Sequence, residues 1–277
     1  MVKQFRERQL QASYPYIWLD AVVLKVRENH RVVSLSLAIA IGVDKQGERY
    51  ILGFELGAGE SEAFLTEFLP SLRERGLNDA KLVTSDAHGG LVPSLSRVFS
   101  GAAWQRCTVH FMRNVLSQIA HKDKKKVATV LKLIFQQPDY RSAQIYLEHL
   151  AGYMQNHWPK AAEMLLEARD DILVYKTFPK EHHRSIHSVN PLERLNREIR
   201  QRERVVGVFP NRASVYRLIG TLLMNVDEDW RAGRRYMAKQ GIEKLFDPEL
   251  EKSINKKDFI LDEALIDLEA QNAIYTT

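Results

Sequence analysis

RVVSLSLAIAIGV, residues 31–43, alternates without a break: Val33, Leu35, Leu37, Ile39, Ile41 and Val43 are large, while Ser34, Ser36, Ala38, Ala40 and Gly42 are small. A period of two belongs to a β-strand, whose successive side chains point to opposite faces. One face is therefore bulky, and the other leaves room for close approach. The stretch before it, YPYIWLDAVVLKV (14–26), is rich in aromatic and β-branched residues and reads as a strand with Asp20 in its middle or at its end. After it, DKQG (44–47) makes a turn and RYILGFELG (49–57) returns as a third strand. The three together read as an antiparallel meander.

Around this meander the texture changes twice. Residues 1–14 are a polar lead-in. Ser61–Arg75 reads as an amphipathic helix capped by Ser61, with Phe64, Leu65, Phe68, Leu69 and Leu72 on one face and Gly76 at its end. KLVTSD (81–86) is a short strand stopping at Asp86, followed by HGG and a second amphipathic segment, LVPSLSRVF (91–99). WQRCTVH (104–110) reads as a further strand running into the helix FMRNVLSQIA. Strands interleaved with helices in this order suit a mixed sheet with helices on its faces. From residue 122 to about 178 the pattern is purely helical, with breaks at Pro138 and Pro159. The chain thus divides into an α/β part over 1–120, a helical block over 121–180, returning helices over 181–244 and a tail over 245–277.

Composition narrows the function classes. The 277 residues are 45% hydrophobic and 27% charged, an ordinary globular balance, with a net charge of +5. The tail holds eight acidic and three basic residues, so residues 1–244 carry +10. A basic body favours a polyanionic partner such as nucleic acid. A single cysteine, Cys107, excludes an intramolecular disulfide and a Cys-based zinc finger. The longest apolar-rich run, Val32–Val43, is too short to cross a bilayer, so no membrane partner and a cytoplasmic location are expected.

The chemistry concentrates in NPLERLNREIRQRERVVGVFPN, residues 190–211. Asn190 can cap a helix that Pro191 opens. Leu192, Leu195 and Ile199 then share an apolar face, while Glu193, Arg197, Arg200 and Arg204 share another. A carboxylate heading an arginine column suits a metal-binding acid with phosphate held beside it. The ordinary alternative is a capping box between Asn190 and Glu193, with Glu–Arg pairs that add only a few tenths of a kcal/mol. Two further carboxylates stand out: Asp20 interrupts an apolar strand, and Asp86 ends one before two glycines. Asp44 and Asp79 read as turn and loop formers. Three converging carboxylates would repel without cations. Two magnesium ions would relieve that repulsion, need few protein ligands and suit phosphoryl transfer.

SDAHGGL, WQRCTVHFMRN, NPLERLNREIRQR and FPN, in this order and spacing between Tyr16 and Met237, resemble the signature stretches of the Mutator-type bacterial insertion-sequence transposases. The resemblance implies an RNase H-like core of the DDE type, an α/β fold with an all-α insertion between the second Asp and the Glu. It implies Asp20, Asp86 and Glu193 as catalytic and metal-binding acids, with Mg2+ (or Mn2+ in its place) as cofactor. Cys107 and His110 match the family's Cys-x-x-His element and become parts of the active-site wall; by composition alone they read as a buried thiol and a core histidine. Arg194, Arg197 and Arg200 are candidate DNA-phosphate contacts, against a solvated helix face. The implied reaction is DNA cleavage and strand transfer of an insertion sequence, on element ends and target DNA, by a homo-oligomer assembled on DNA. The chain departs from the family pattern where His183 precedes Arg184 in place of a Trp, and where His187, Ser188 and Val189 precede Asn190, so that polar positions expected to face DNA are altered. The family also carries an N-terminal DNA-binding region ahead of its core, which this sequence does not show before its first strand. The alternatives are an inactive remnant that only binds DNA or a full-length transposase, and a simple RNase H-like nuclease.

Overall fold

The computed structural model describes residues 1–57, 62–87, 91–99 and 101–247. The cap expected at Ser61, the HGG run and the tail beyond residue 247 lie outside the described residues. A short helix α1 (Val2–Glu7) precedes the strands β1 (Tyr16–Glu28), β2 (Arg31–Val43) and β3 (Arg49–Gly57). Helix α2 (Glu62–Glu74), strand β4 (Leu82–Ser85), helix α3 (Leu91–Val98), strand β5 (Ala103–Arg106) and helix α4 (Thr108–Ser117) follow. The helical block contains α5 (His121–Gln136), α6 (Tyr140–Gln155), α7 (Pro159–Glu167) and α8 (Arg169–Leu173). The chain then returns through α9 (His183–Ile186), α10 (Asn190–Val206), α11 (Arg212–Ala232) and α12 (Lys239–Glu243).

The five strands form one mixed sheet in the order β3-β2-β1-β4-β5. The meander expected from the alternation is present. β1 and β2 pair antiparallel from Tyr16↔Val43 to Glu28↔Arg31. They are joined by Asn29 and His30, both at positive φ (48° and 62°), as a two-residue turn matched to strand twist requires. β4 runs parallel to β1, and β5 parallel to β4. β3 carries one extra residue opposite the Ala40–Ile41 step, so Leu52 and Gly53 both lie on the α2 side.

The two faces of β2 do what their residue sizes imply. Leu35, Leu37, Ile39 and Ile41 are buried against Leu192, Leu195 and Ile199 of α10 and Val215, Ile219 and Leu223 of α11. Ala38 and Ala40 face Leu52, with Phe68, Leu69 and Leu72 of α2 in the same cluster. At Gly42 an added Cβ would stand 2.8 Å from Leu52 and 3.1 Å from Tyr14, which explains the small residue there. The helical block has a separate core, including Val127, Leu131, Leu147 and Leu165.

Three local expectations are corrected. Residues 1–14 are not a bare lead-in. Arg8 donates two hydrogen bonds to the buried Asp227 on α11, at 2.7 and 3.1 Å, and Asp227 also accepts from the Ile51 amide at the bulge. Local polarity hides this because each charge finds its partner far along the chain. The strand expected through His110 stops at Arg106, and Thr108–His110 are already helical. Asn190 does not cap α10. It lies inside the first turn, the cap position is Val189, and no side-chain cap bond forms. Asp44 is the turn former expected, its Oδ1 accepting from the amides of Gln46 and Glu48.

Candidate active site

Alternation along β1 aims Asp20. Tyr16, Trp18, Val22 and Leu24 all belong to the core beneath α10 and α11, so Asp20, in phase with them, points to the same side. Strand β4 accompanies β1 only as far as the pair Trp18↔Thr84. Asp20 is two residues past Trp18 and Asp86 two past Thr84, so the parallel register brings the two acids side by side. Beyond them β1 has an open edge, among the described residues, until Phe209, which exchanges backbone hydrogen bonds with Lys25 and Arg27 at 2.8 Å each. Each carboxylate is fixed by the next amide: Asp20 Oδ1 accepts from Ala21 N at 2.9 Å, and Asp86 Oδ1 from Ala87 N at 2.8 Å.

Helix α10 crosses this open edge. Leu192, Leu195 and Ile199 are buried on its inner side, which turns Glu193 and Asn196 toward Asp20. The Asn196 amide donates to Asp20 Oδ2 at 2.7 Å. The start of α10 is held by the preceding segment. Trp18 Nε1 donates to the Ser185 carbonyl at 3.1 Å, Thr84 Oγ1 donates to the Ile186 carbonyl at 2.8 Å, and the His187 ring lies 2.7 Å from Thr108 Oγ1. Ser188 and Val189 are fully buried. Ser188 and Val189 therefore serve packing, and the half-buried His187 is held by its contact with Thr108.

A cleft of about 710 Å³ results, lined by Asp20, Ala21, Asp86 and Glu193, by His110 and Arg113 from α4, and by Asn196, Arg197, Arg200, Gln201 and Arg204 from α10. The three acids read from the sequence thus share one cavity. His110 Nδ1 lies 3.5 Å from Asp86 Oδ2. Burial pushes the Asp20 carboxyl above its ordinary range; the Ala21 amide, His110 and Asn196 oppose that shift, and the Asp86 charge adds to it. Glu193 lines the cleft from the first turn of α10. Arg113, Arg197, Arg200 and Arg204 make no ion pair among the described residues.

Cys107 and His110 separate in role. Cys107 is fully buried, accepts from the Val189 amide through Sγ at 3.5 Å, and has its thiol pushed up by burial. It joins the end of β5 to the start of α10 and does not line the cleft, whereas His110 does. Arg194 also stands apart. It is 90% exposed, lies 3.9 Å from Glu198 and borders a different hollow with Arg49 and Trp230. Asn196 and Arg113 are two cleft residues that the sequence analysis does not name. The available signal was helical spacing, because Asn196 follows Glu193 by three and Arg113 follows His110 by three.

The donor set suits a hard divalent cation. Three carboxylates and the amide oxygen of Asn196 offer only oxygen, and that amide oxygen is buried with no hydrogen-bond partner. Among the described residues, no three His, Cys, Asp or Glu side chains are drawn together as a ready metal cluster. Magnesium takes much of its shell from water and phosphate, so it needs few protein ligands.

The model of the family described as "Transposase, Mutator family" matches residues 1–233. The transposase for insertion sequence element IS1081 of Mycobacterium tuberculosis is 43% identical over 237 residues, covering 85% of this chain and 57% of that protein. The transposase for IS256 in transposon Tn4001 of Staphylococcus aureus is 41% identical over 243 residues, covering 86% and 62%. The transposase for ISRM5 of Rhizobium meliloti is 38% identical over 236 residues. The chain therefore spans about three-fifths of the length of the curated relatives it matches. No helix among the described residues is long and apolar enough to cross a membrane.

Proposed function

The chain belongs to the Mutator family of transposases, and on that premise we propose that it carries the metal-dependent catalytic core for DNA cleavage and strand transfer. The observation that carries this reading is the meeting of Asp20, Asp86 and Glu193 in one cleft beside Arg113, Arg197, Arg200 and Arg204. The mixed sheet supports an RNase H-like core, with one acid within β1, the next just past β4 and the third on a helix crossing between them. Helices α5 to α8 lie between Asp86 and Glu193 in the chain, which supports reading them as an all-α insertion.

Asp20, Asp86 and Glu193 would hold the Mg2+ cofactor. When bound, such ions activate an attacking oxygen and stabilise the leaving one in phosphodiester displacement. Asp20 is held for this task by the Ala21 amide and by Asn196. His110 stands against Asp86 from α4 and limits how that carboxylate can turn. Arg197, Arg200 and Arg204 offer guanidinium groups to successive phosphates, which fixes the strand along α10. In the first reaction water breaks a P–O3′ bond at an element end and releases a 3′-hydroxyl. In the second, that hydroxyl attacks a target phosphodiester and displaces its 3′-oxygen. One cleft serves both because attacker and leaving group are alkoxide or hydroxide oxygens in each.

The test is nicking of supercoiled plasmid at low salt with Mn2+, comparing wild type with Asp20→Asn, Asp86→Asn and Glu193→Gln. Each substitution keeps shape and removes charge. The expected result is nicking by wild type and at least a hundredfold loss in each folded variant, as judged by circular dichroism. A folded variant that nicks at the wild-type rate removes that residue from the site.

A further inference from the structure

Asn196 has two ends that do different things. Its amide nitrogen is spent on Asp20 Oδ2, at 2.7 Å. Its carbonyl oxygen, Oδ1, is buried without a hydrogen-bond partner. Among the described residues, the other buried side-chain polar atoms without partners are arginine or histidine nitrogens, so Oδ1 is the one oxygen acceptor in that state. A buried acceptor left unmade costs roughly 1–3 kcal/mol, so such a group in a cleft points to a ligand that supplies a donor or a positive charge. The cleft around it is lined by three carboxylates, which need the same thing.

We propose that Asn196 is a positioning residue that completes the divalent-cation site: its amide orients the Asp20 carboxylate, and its carbonyl receives a water of the cation's hydration shell. This rests on the metal-dependent reading above. Two features favour a role in the cation's outer shell. Magnesium keeps several of its waters, and those waters are strong donors. Asn196 also lies on α10 one turn beyond Glu193 while bonding to β1, so it couples the third acid's helix to the first acid's strand. Groups that orient metal ligands in this way change affinity by about 10–100-fold when removed.

The experiment is Mn2+ binding to the full chain without DNA, followed by electron paramagnetic resonance, for wild type, Asn196→Leu, Asn196→Ser, Asp20→Asn and Glu198→Gln, each with its melting temperature. Glu198 lies on the same helix but pairs with Arg194 and Arg202 outside the cleft. The expected result is that Asp20→Asn abolishes binding, both Asn196 variants weaken it about tenfold with little change in melting temperature, and Glu198→Gln matches wild type. The serine variant decides the matter if the leucine variant does not fold. Wild-type affinity in a folded Asn196 variant overturns this inference alone. No Mn2+ binding by wild type overturns the metal-dependent reading and this inference with it.

Discussion

Replacing Arg197, Arg200 and Arg204 together by glutamine should change how DNA binding responds to salt. The three lie on one side of α10 and line the cleft. Seven residues separate the first from the last, about 10 Å of helix at about 1.5 Å per residue. At about 3.4 Å of rise per phosphate on one strand, that length covers about three phosphates. Each phosphate neutralised contributes about 0.9 to the slope of log affinity against log salt for duplex DNA, or about 0.7 for a single strand. The triple variant should therefore lose about 2–3 of slope, so that between 50 and 200 mM salt its affinity falls about 20–40-fold less than that of wild type. The assay is fluorescence anisotropy of a labelled duplex and of a single strand at several salt concentrations, without divalent metal. Arg194→Gln should leave the slope unchanged, because Arg194 faces away from the cleft toward Glu198. An unaltered slope in the triple variant, or a loss from Arg194→Gln as large as from a cleft arginine, refutes the phosphate path along α10.

Asp227→Ala should destabilise the fold by about 3–5 kcal/mol in urea denaturation, because it strands the Arg8 guanidinium and the Ile51 amide around a fully buried position. A loss below 1 kcal/mol would remove the N-terminal clamp from the stability of the core. Ile199→Ala, at a fully buried position beneath α10, should cost about 2–5 kcal/mol and raise the urea sensitivity of nicking with it. Burial lowers the proton affinity of His182, His183 and His187. Below an ordinary histidine value of about 6.5 the unfolded chain takes up protons that the folded chain resists, so stability should fall as pH drops from 7.5 to 5.5. The histidine contribution is isolated by comparing this slope with that of His183→Gln, which should be shallower.

Much of this organisation is legible in the residues alone, where it depends on local period. The alternation at 31–43 sets both faces of β2. The same period along β1 puts Asp20 in phase with Trp18 and Val22, hence toward α10. The heptad-like spacing in α10 places Glu193, Arg197, Arg200 and Arg204 on one side, and the cleft contains all four. What escapes local reading depends on partners distant in the chain. The Arg8–Asp227 pair spans 219 positions, and Asn196 meets Asp20 across 176. Asn190 looks like a cap because its composition and the acid three residues later fit the pattern. Tertiary bonds to Ser185, Ile186 and His187 fix the chain before it, and the helix starts one residue earlier than the pattern indicates. Arg194 shares a sequence run with Arg197 and Arg200, yet it stands one step of about 100° around the helix from Glu193 and borders another surface.

Convergence of Asp20, Asp86 and Glu193 on bound cations is tested most directly by an anomalous-difference map, collected near the manganese edge from crystals soaked in Mn2+. The prediction is anomalous density in the cleft, within ligand distance of oxygens from all three carboxylates and absent from crystals of Asp86→Asn. Ordered carboxylates with no anomalous density between them, or manganese bound elsewhere with the cleft empty, would contradict it.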